Sequence, residues 1–103
     1  MTDPKTYKDF SGQLHTTFQV HVPEAGAIPL ELIEAVEYTN DPRLEQFLLI
    51  FRGPSTPWLQ QSTLRLEHPV LGGMDLMMSP MGFDDKGMRY QIVVNRFRAQ
   101  SLS

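Results

Sequence analysis

The chain has 103 residues, 41% hydrophobic and 20% charged, the balance of one soluble globular domain rather than of a disordered or fibrous chain. A formal net charge of −3 provides no positive field for a phosphate backbone, and Arg89, Arg96 and Arg98 are interleaved with apolar residues, so nucleic-acid binding is disfavoured. The absence of cysteine excludes disulfides, thiolate metal sites and thiol nucleophiles. No apolar leader and no run near ~18 apolar residues is present, so the expectation is a cytoplasmic protein without membrane contact.

Asp3-Pro4 reads as a helix start, with Asp3 as cap and Pro4 in the first turn. Tyr7, Phe10 and Leu14 then form one apolar stripe, and Gly12 ends the helix after about two turns. Thr16 to Val22 switches to period two, with Phe18, Val20 and Val22 on one face, and a Pro23–Ala27 turn follows.

Residues 29–39 fit either a helix with an acidic stripe (Glu31, Glu34, Glu37) or a strand. The β-branched content favours a strand, with Leu30, Leu32, Val36 and Tyr38 on one face and a bulge near Glu34 to repair the phase. After a turn at Thr39–Pro42, the strand Arg43 to Arg52 carries the run Phe47-Leu48-Leu49-Ile50-Phe51, apolar on both pleat faces. Phe47, Leu49 and Phe51 belong to the core. Leu48 and Ile50 need a second cover, either the Tyr7, Phe10 and Leu14 stripe or another subunit. Burying them in a partner would contribute roughly 3 to 6 kcal/mol before association costs.

Pro54 and Pro57 stop that strand, and Trp58 and Leu59 are expected to fold back as a plug. Gln61–His68 alternates with Leu64 and Leu66 inward, the next strand with Met74, Leu76 and Met78 inward. After a Gly82–Gly87 loop, Met88–Phe97 places Tyr90, Ile92 and Val94 inward. The short connections require antiparallel neighbours. The expected fold is all-β, mainly antiparallel: a small six-stranded barrel or sandwich with a short N-terminal helix. It is one domain over 1–103, with helix and turn in 1–14, a β body in 16–97 and a tail in 98–103.

The string Phe47-x-Leu49-x-Phe51-Arg52-Gly53-Pro54, then Leu59-Gln60-Gln61-Ser62-Thr63-Leu64, His68-Pro69, Met78-x-Pro80-x-Gly82, Gly87, Tyr90 and Asn95-Arg96 resembles a family of roughly hundred-residue bacterial domains of unknown function. The resemblance runs from Phe10 to Arg96. It implies a fold and no mechanism. It also implies a genomic neighbourhood of tail-collar or tail-fibre-like proteins, and a glycine where this chain has His15.

Candidate chemistry is sparse. His15, His21 and His68 lack the compact spacing of a zinc site, so solvent-facing or hydrogen-bonded roles are expected and no metal or cofactor is assigned. No serine sits on a nucleophile elbow, phosphate and dinucleotide fingerprints are absent, and Glu31, Glu34 and Glu37 read as a solvated face, so no catalytic residue is assigned. Arg52 and Arg96 each end an apolar run; they read as ties between strand ends and the Pro54 loop, with an anion-binding pair as the alternative. Five of six methionines lie between Met74 and Met88, ordinarily core filler. Met77 and Phe97 fall on outward phases, however, and with Leu48 and Ile50 they define a possible interaction surface. The functional expectation is a non-catalytic protein-interaction or assembly module, a homo-oligomer or the partner of another protein. The alternative is a small barrel binding a hydrophobic ligand, lined by Phe18, Phe47, Phe51, Tyr90 and methionines, or an anionic one.

Overall fold

Period-two alternation gives every strand one apolar face, and the chain satisfies all six by wrapping them round one interior. The computed structural model describes residues 6–23, 26–39 and 41–97. A short helix, α1 (Tyr7–Ser11), precedes β1 (Thr17–Val22), β2 (Gly26–Glu37), β3 (Leu44–Gly53), β4 (Ser62–His68), β5 (Gly72–Asp84) and β6 (Gly87–Phe97). All neighbours are antiparallel, and the strands close a barrel in the order β1-β2-β3-β6-β5-β4. The core is built from Phe18, Val20, Leu30, Leu32, Phe47, Leu49, Phe51, Leu66, Met78, Tyr90 and Ile92, all essentially inaccessible to water.

The segment expected over residues 29–39 is a strand as far as Glu37, and its bulge falls between Leu32 and Glu34, where Ile33 is the additional residue. The bulge reverses the pleat. Leu30 and Leu32 point inward before it and Ala35 packs on the core after it, so Val36 and Tyr38 lie exposed rather than on the inner face. A second bulge, between Pro80 and Gly82, bends β5. That strand continues to Asp84, well into the segment expected to be loop, with Phe83 opposite Met88 and Asp84 opposite Gly87; it tolerates Pro80, opposite Tyr90, on a rung that needs no N–H from it.

The helix begins later than expected. Thr6 is its cap: the Thr6 hydroxyl accepts the Asp9 N–H at 3.2 Å, and the Asp9 carboxylate accepts the Thr6 N–H at 2.9 Å. Asp3 and Pro4 lie outside the described residues, as does the tail 98–103. Five residues of helix cannot stand alone. This helix is held by ring contacts, Tyr7 on Phe47 (5.8 Å), Phe10 on Phe47 (5.9 Å) and Phe10 on Phe18 (6.3 Å). The Tyr7–Phe10–Leu14 stripe therefore covers the inward face of β3, not the face of Leu48 and Ile50. Beyond Gly12 the chain reverses through His15, whose φ of +67° is the conformation that favours glycine.

At the opposite end Leu59 is the plug, its N–H donating to the buried Tyr90 hydroxyl at 2.8 Å. Trp58 does not share that role. It is exposed, edge-on to the equally exposed Phe83 at 6.5 Å.

Gly87 closes the β5–β6 hairpin at φ +147°, and a Cβ there would run into the Gly53 carbonyl oxygen. Gly87→Ala therefore combines strain with a backbone clash. It is expected to cost at least ~2 kcal/mol in urea unfolding, where a surface Gly→Ala change would shift the midpoint little.

Candidate interaction surface

The outer face of β2, β3 and β6 carries one aligned apolar row: Val36 lies opposite Leu48, and Leu48 opposite Val93. Val36 and Val93 are 41% and 55% exposed, and Leu48 between them is half-buried. Ile50 behaves differently from Leu48. At 3% exposure it is already covered within the chain, on the rung between Glu34 and Gln91. Phe97, at the far end of β6, is 78% exposed, and Met77 on β5 is 54% exposed. Of the four residues the sequence singles out for a contact surface, Leu48, Met77 and Phe97 remain accessible and Ile50 does not.

The edge beside that row matters as much as the row. The β3–β6 ladder runs from Gly53↔Met88 to Leu44↔Phe97, but the β5–β6 ladder stops at Ser79↔Gln91. Beyond that rung, β5 follows β4 instead. Sequence reasoning does not single out Val93 or Asn95 as site residues. The signal for Val93 is Ile92-Val93-Val94, a second stretch apolar on both pleat faces; no local pattern marks Asn95.

Arg52 and Arg96 do not meet. Along β3 they flank opposite ends, Arg52 near Gly53 and Arg96 opposite Glu45. Each guanidinium is held by its own carboxylate. Arg52 donates through Nε (2.9 Å) and an Nη (2.7 Å) to Asp84, so the two ends tied are those of β3 and β5. This bond, reinforced by the Lys86 N–H, holds the Asp84 carboxyl below the usual carboxylate range. Arg96 donates Nε (3.0 Å) and an Nη (2.9 Å) to Glu45 while lying over the Phe47 ring. Glu45 is 5% exposed and also accepts the Tyr7 N–H at 3.2 Å, so one carboxylate joins α1, β3 and β6. An open cleft of about 640 Å³ beside Arg52 is lined by His15, Glu31, Ile33, Pro54 and Lys86, among others.

The three histidines stand apart. His15 faces Glu31 at 3.4 Å and His21 faces Glu67 at 3.3 Å, both at the surface. His68 is buried against Phe18, with ring centroids 4.3 Å apart. Its Nδ1 accepts the N–H groups of Val70 (3.0 Å) and Leu71 (3.3 Å). That leaves the proton on Nε2, which donates to the Thr16 hydroxyl at 2.9 Å; Thr16 in turn donates to the Gln13 carbonyl at 2.7 Å. His68 thus fastens the β4–β5 turn to the α1–β1 connection as a neutral ring. Among the described residues no three of His, Asp and Glu gather where they could hold a metal ion.

A family model described as "Domain of unknown function (DUF6916)" matches residues 5–94, most of the chain. The chain belongs to the DUF6916 family. The comparisons with curated proteins and with solved structures gave no match.

Burial pushes the His68 pKa below its ordinary value. Below about pH 6.5 the unfolded chain binds a proton there that the folded chain refuses, so His68 lowers stability as pH falls from about 6.5 toward its folded pKa. Urea midpoints should drop between pH 7 and pH 5, and His68→Asn, which keeps an acceptor near Nδ1, should flatten that slope. Glu45→Gln should cost about 1–3 kcal/mol and speed proteolysis next to α1, because Arg96 loses the Glu45 charge and the Tyr7 N–H a charged acceptor.

Proposed function

We propose that this DUF6916 domain is a non-catalytic protein-interaction or assembly module that works through the outer face of β2, β3 and β6. One observation carries the reading: Val36, Leu48 and Val93 are aligned in register across three strands and lie beside a strand edge that β5 leaves open. Apolar residues scattered singly over a surface need no explanation, whereas a contiguous set rimmed by polar groups marks a contact site. The rim here is polar: Glu34 and Gln91 on one flank, and on the other Gln46, whose amide donates to the Asn95 side chain at 3.0 Å.

The ligand-carrying alternative has less support. Phe18, Phe47, Phe51 and Tyr90, the residues expected to line a cavity, fill the barrel against one another, Phe18 and Phe51 edge-to-face at 5.2 Å. Six strands leave an interior for side chains and little more. The non-catalytic reading draws on the pairing of the acids and bases described above, which serve one another and the backbone. No helix among the described residues is long and apolar enough to cross a membrane. A cytoplasmic location, a bacterial origin and service in phage-tail-like assemblies belong to the same proposal, resting on composition and on the family resemblance.

Self-association is its most accessible form. Light scattering after size exclusion should give a mass above 11.8 kDa that rises with protein concentration. Val93→Glu places a charge in the exposed row without touching the core. It should leave the unfolding midpoint within about 0.5 kcal/mol of wild type and return the protein to monomer. A wild-type monomer at all concentrations would remove the homo-oligomeric reading.

A further inference from the structure

We propose that two copies of this chain pair edge to edge through the second half of β6, antiparallel, with Asn95 on the two-fold axis. The proposal rests on the interaction reading above and specifies its partner and its contact.

The direction of the backbone groups follows from one hydrogen bond. The Gln46 carbonyl accepts the Tyr38 N–H at 3.0 Å, so the main-chain groups of Gln46 face β2. Asn95, opposite Gln46 on the other side, must then turn its N–H and C=O away from β3, and by alternation Val93 and Phe97 do the same. Gln91 shares this orientation, and its rung with Ser79 is the last that β5 provides. Pro80, with no N–H, lies opposite Tyr90 on the adjacent rung, as this phase requires. Among the described residues, Val93, Asn95 and Phe97 therefore present a row of donors and acceptors with no strand beside it.

Natural sheets blunt such edges with lysine, proline, a bulge or an outward charge. Residues 93–97 have none of these. Their one charge, Arg96, is engaged by Glu45 and lies over Phe47. An open, uncapped edge of this kind is a template for another strand.

Register and charge select a second copy as that strand. An antiparallel pair that uses all three open positions has one solution: Asn95 faces the partner subunit's Asn95, and Val93 faces the partner subunit's Phe97, twice by symmetry. Aromatic against β-branched is among the favoured cross-strand pairs, and a two-fold contact must be self-complementary in this way. The chain carries a net charge of −3, so two copies repel on average. This edge contains no acid, and its outward neighbours on β3, Gln46 and Leu48, are uncharged. A neutral edge offers no steering to a charged foreign peptide but lets two acidic copies approach.

The absence of native cysteine makes the test clean. Residues on a hydrogen-bonded antiparallel rung have Cα atoms about 5.5 Å apart, within disulfide reach. Asn95→Cys should form a covalent dimer under mild oxidation, while Gln19→Cys, exposed on β1, should stay monomeric on the same non-reducing gel. Asn95→Pro removes an N–H that faces away from β3, so it should keep the fold while weakening dimerisation about tenfold or more. If Asn95→Pro fails to fold, the cross-link decides alone. A wild-type dimer that neither cross-links at Asn95→Cys nor responds to Asn95→Pro overturns the edge pairing and leaves the interaction reading standing. A monomer throughout, including one that instead captures an unrelated extended peptide at this edge, overturns the self-pairing.

Discussion

The fold depends on burying the inward face of β3 and pairing both of its edges. All ten of its residues are in register with β6, and β2 pairs along most of its other side. Phe47, Leu49 and Phe51 set the inward face, and everything else is arranged to keep water from them. Phe10 and Tyr7 close one end, held down by the Glu45 carboxylate, and Leu59 with the Tyr90 hydroxyl closes the other. The Glu45–Arg96 pair stands at the first of these ends because a carboxylate on an inward phase must find a cation and donors or go unsatisfied.

The second face of β3 is solved differently along its length. Ile50 is covered by its own chain, Arg52 is tied to Asp84, and Leu48 continues into the Val36–Val93 row that faces outward. One bulge and one change of partner make this division. Bending β2 at Ile33 turns Val36 outward, and after the Ser79↔Gln91 rung β5 runs beside β4 instead of β6, just where Val93 begins. The apolar row and the open edge are thus two consequences of closing a small barrel with two long, bent strands.

The sequence carried the local part of this plainly. Alternation located the six strands and the inward sets of β1, β3, β4 and β6, because each is written in consecutive residues; Asn40, in the expected Thr39–Pro42 turn, lies outside the described residues. What it did not show depends on counting across a defect or on distant partners. A bulge near Glu34 was legible, yet the phase beyond it was read without the reversal, so Val36 and Tyr38 were placed inside. Trp58 looked like a plug by composition, but only one of two adjacent residues can point into the barrel end, and Leu59 does. Arg96 and Glu45 lie 51 positions apart and Arg52 and Asp84 lie 32 apart, so no local pattern could name the partners. His68 was expected to be hydrogen-bonded or exposed; its fixed tautomer follows from the turn it fastens.

If two copies pair as proposed, the second half of β6, an open edge among the described residues, becomes a paired strand in the dimer. Amide hydrogen exchange, measured residue by residue at low and high protein concentration, reads that directly. The Val93, Asn95 and Phe97 amides should exchange quickly when dilute and become protected when concentrated, with the Leu49 and Phe51 amides slow throughout. Exchange at Val93 and Asn95 that does not change with concentration would contradict it.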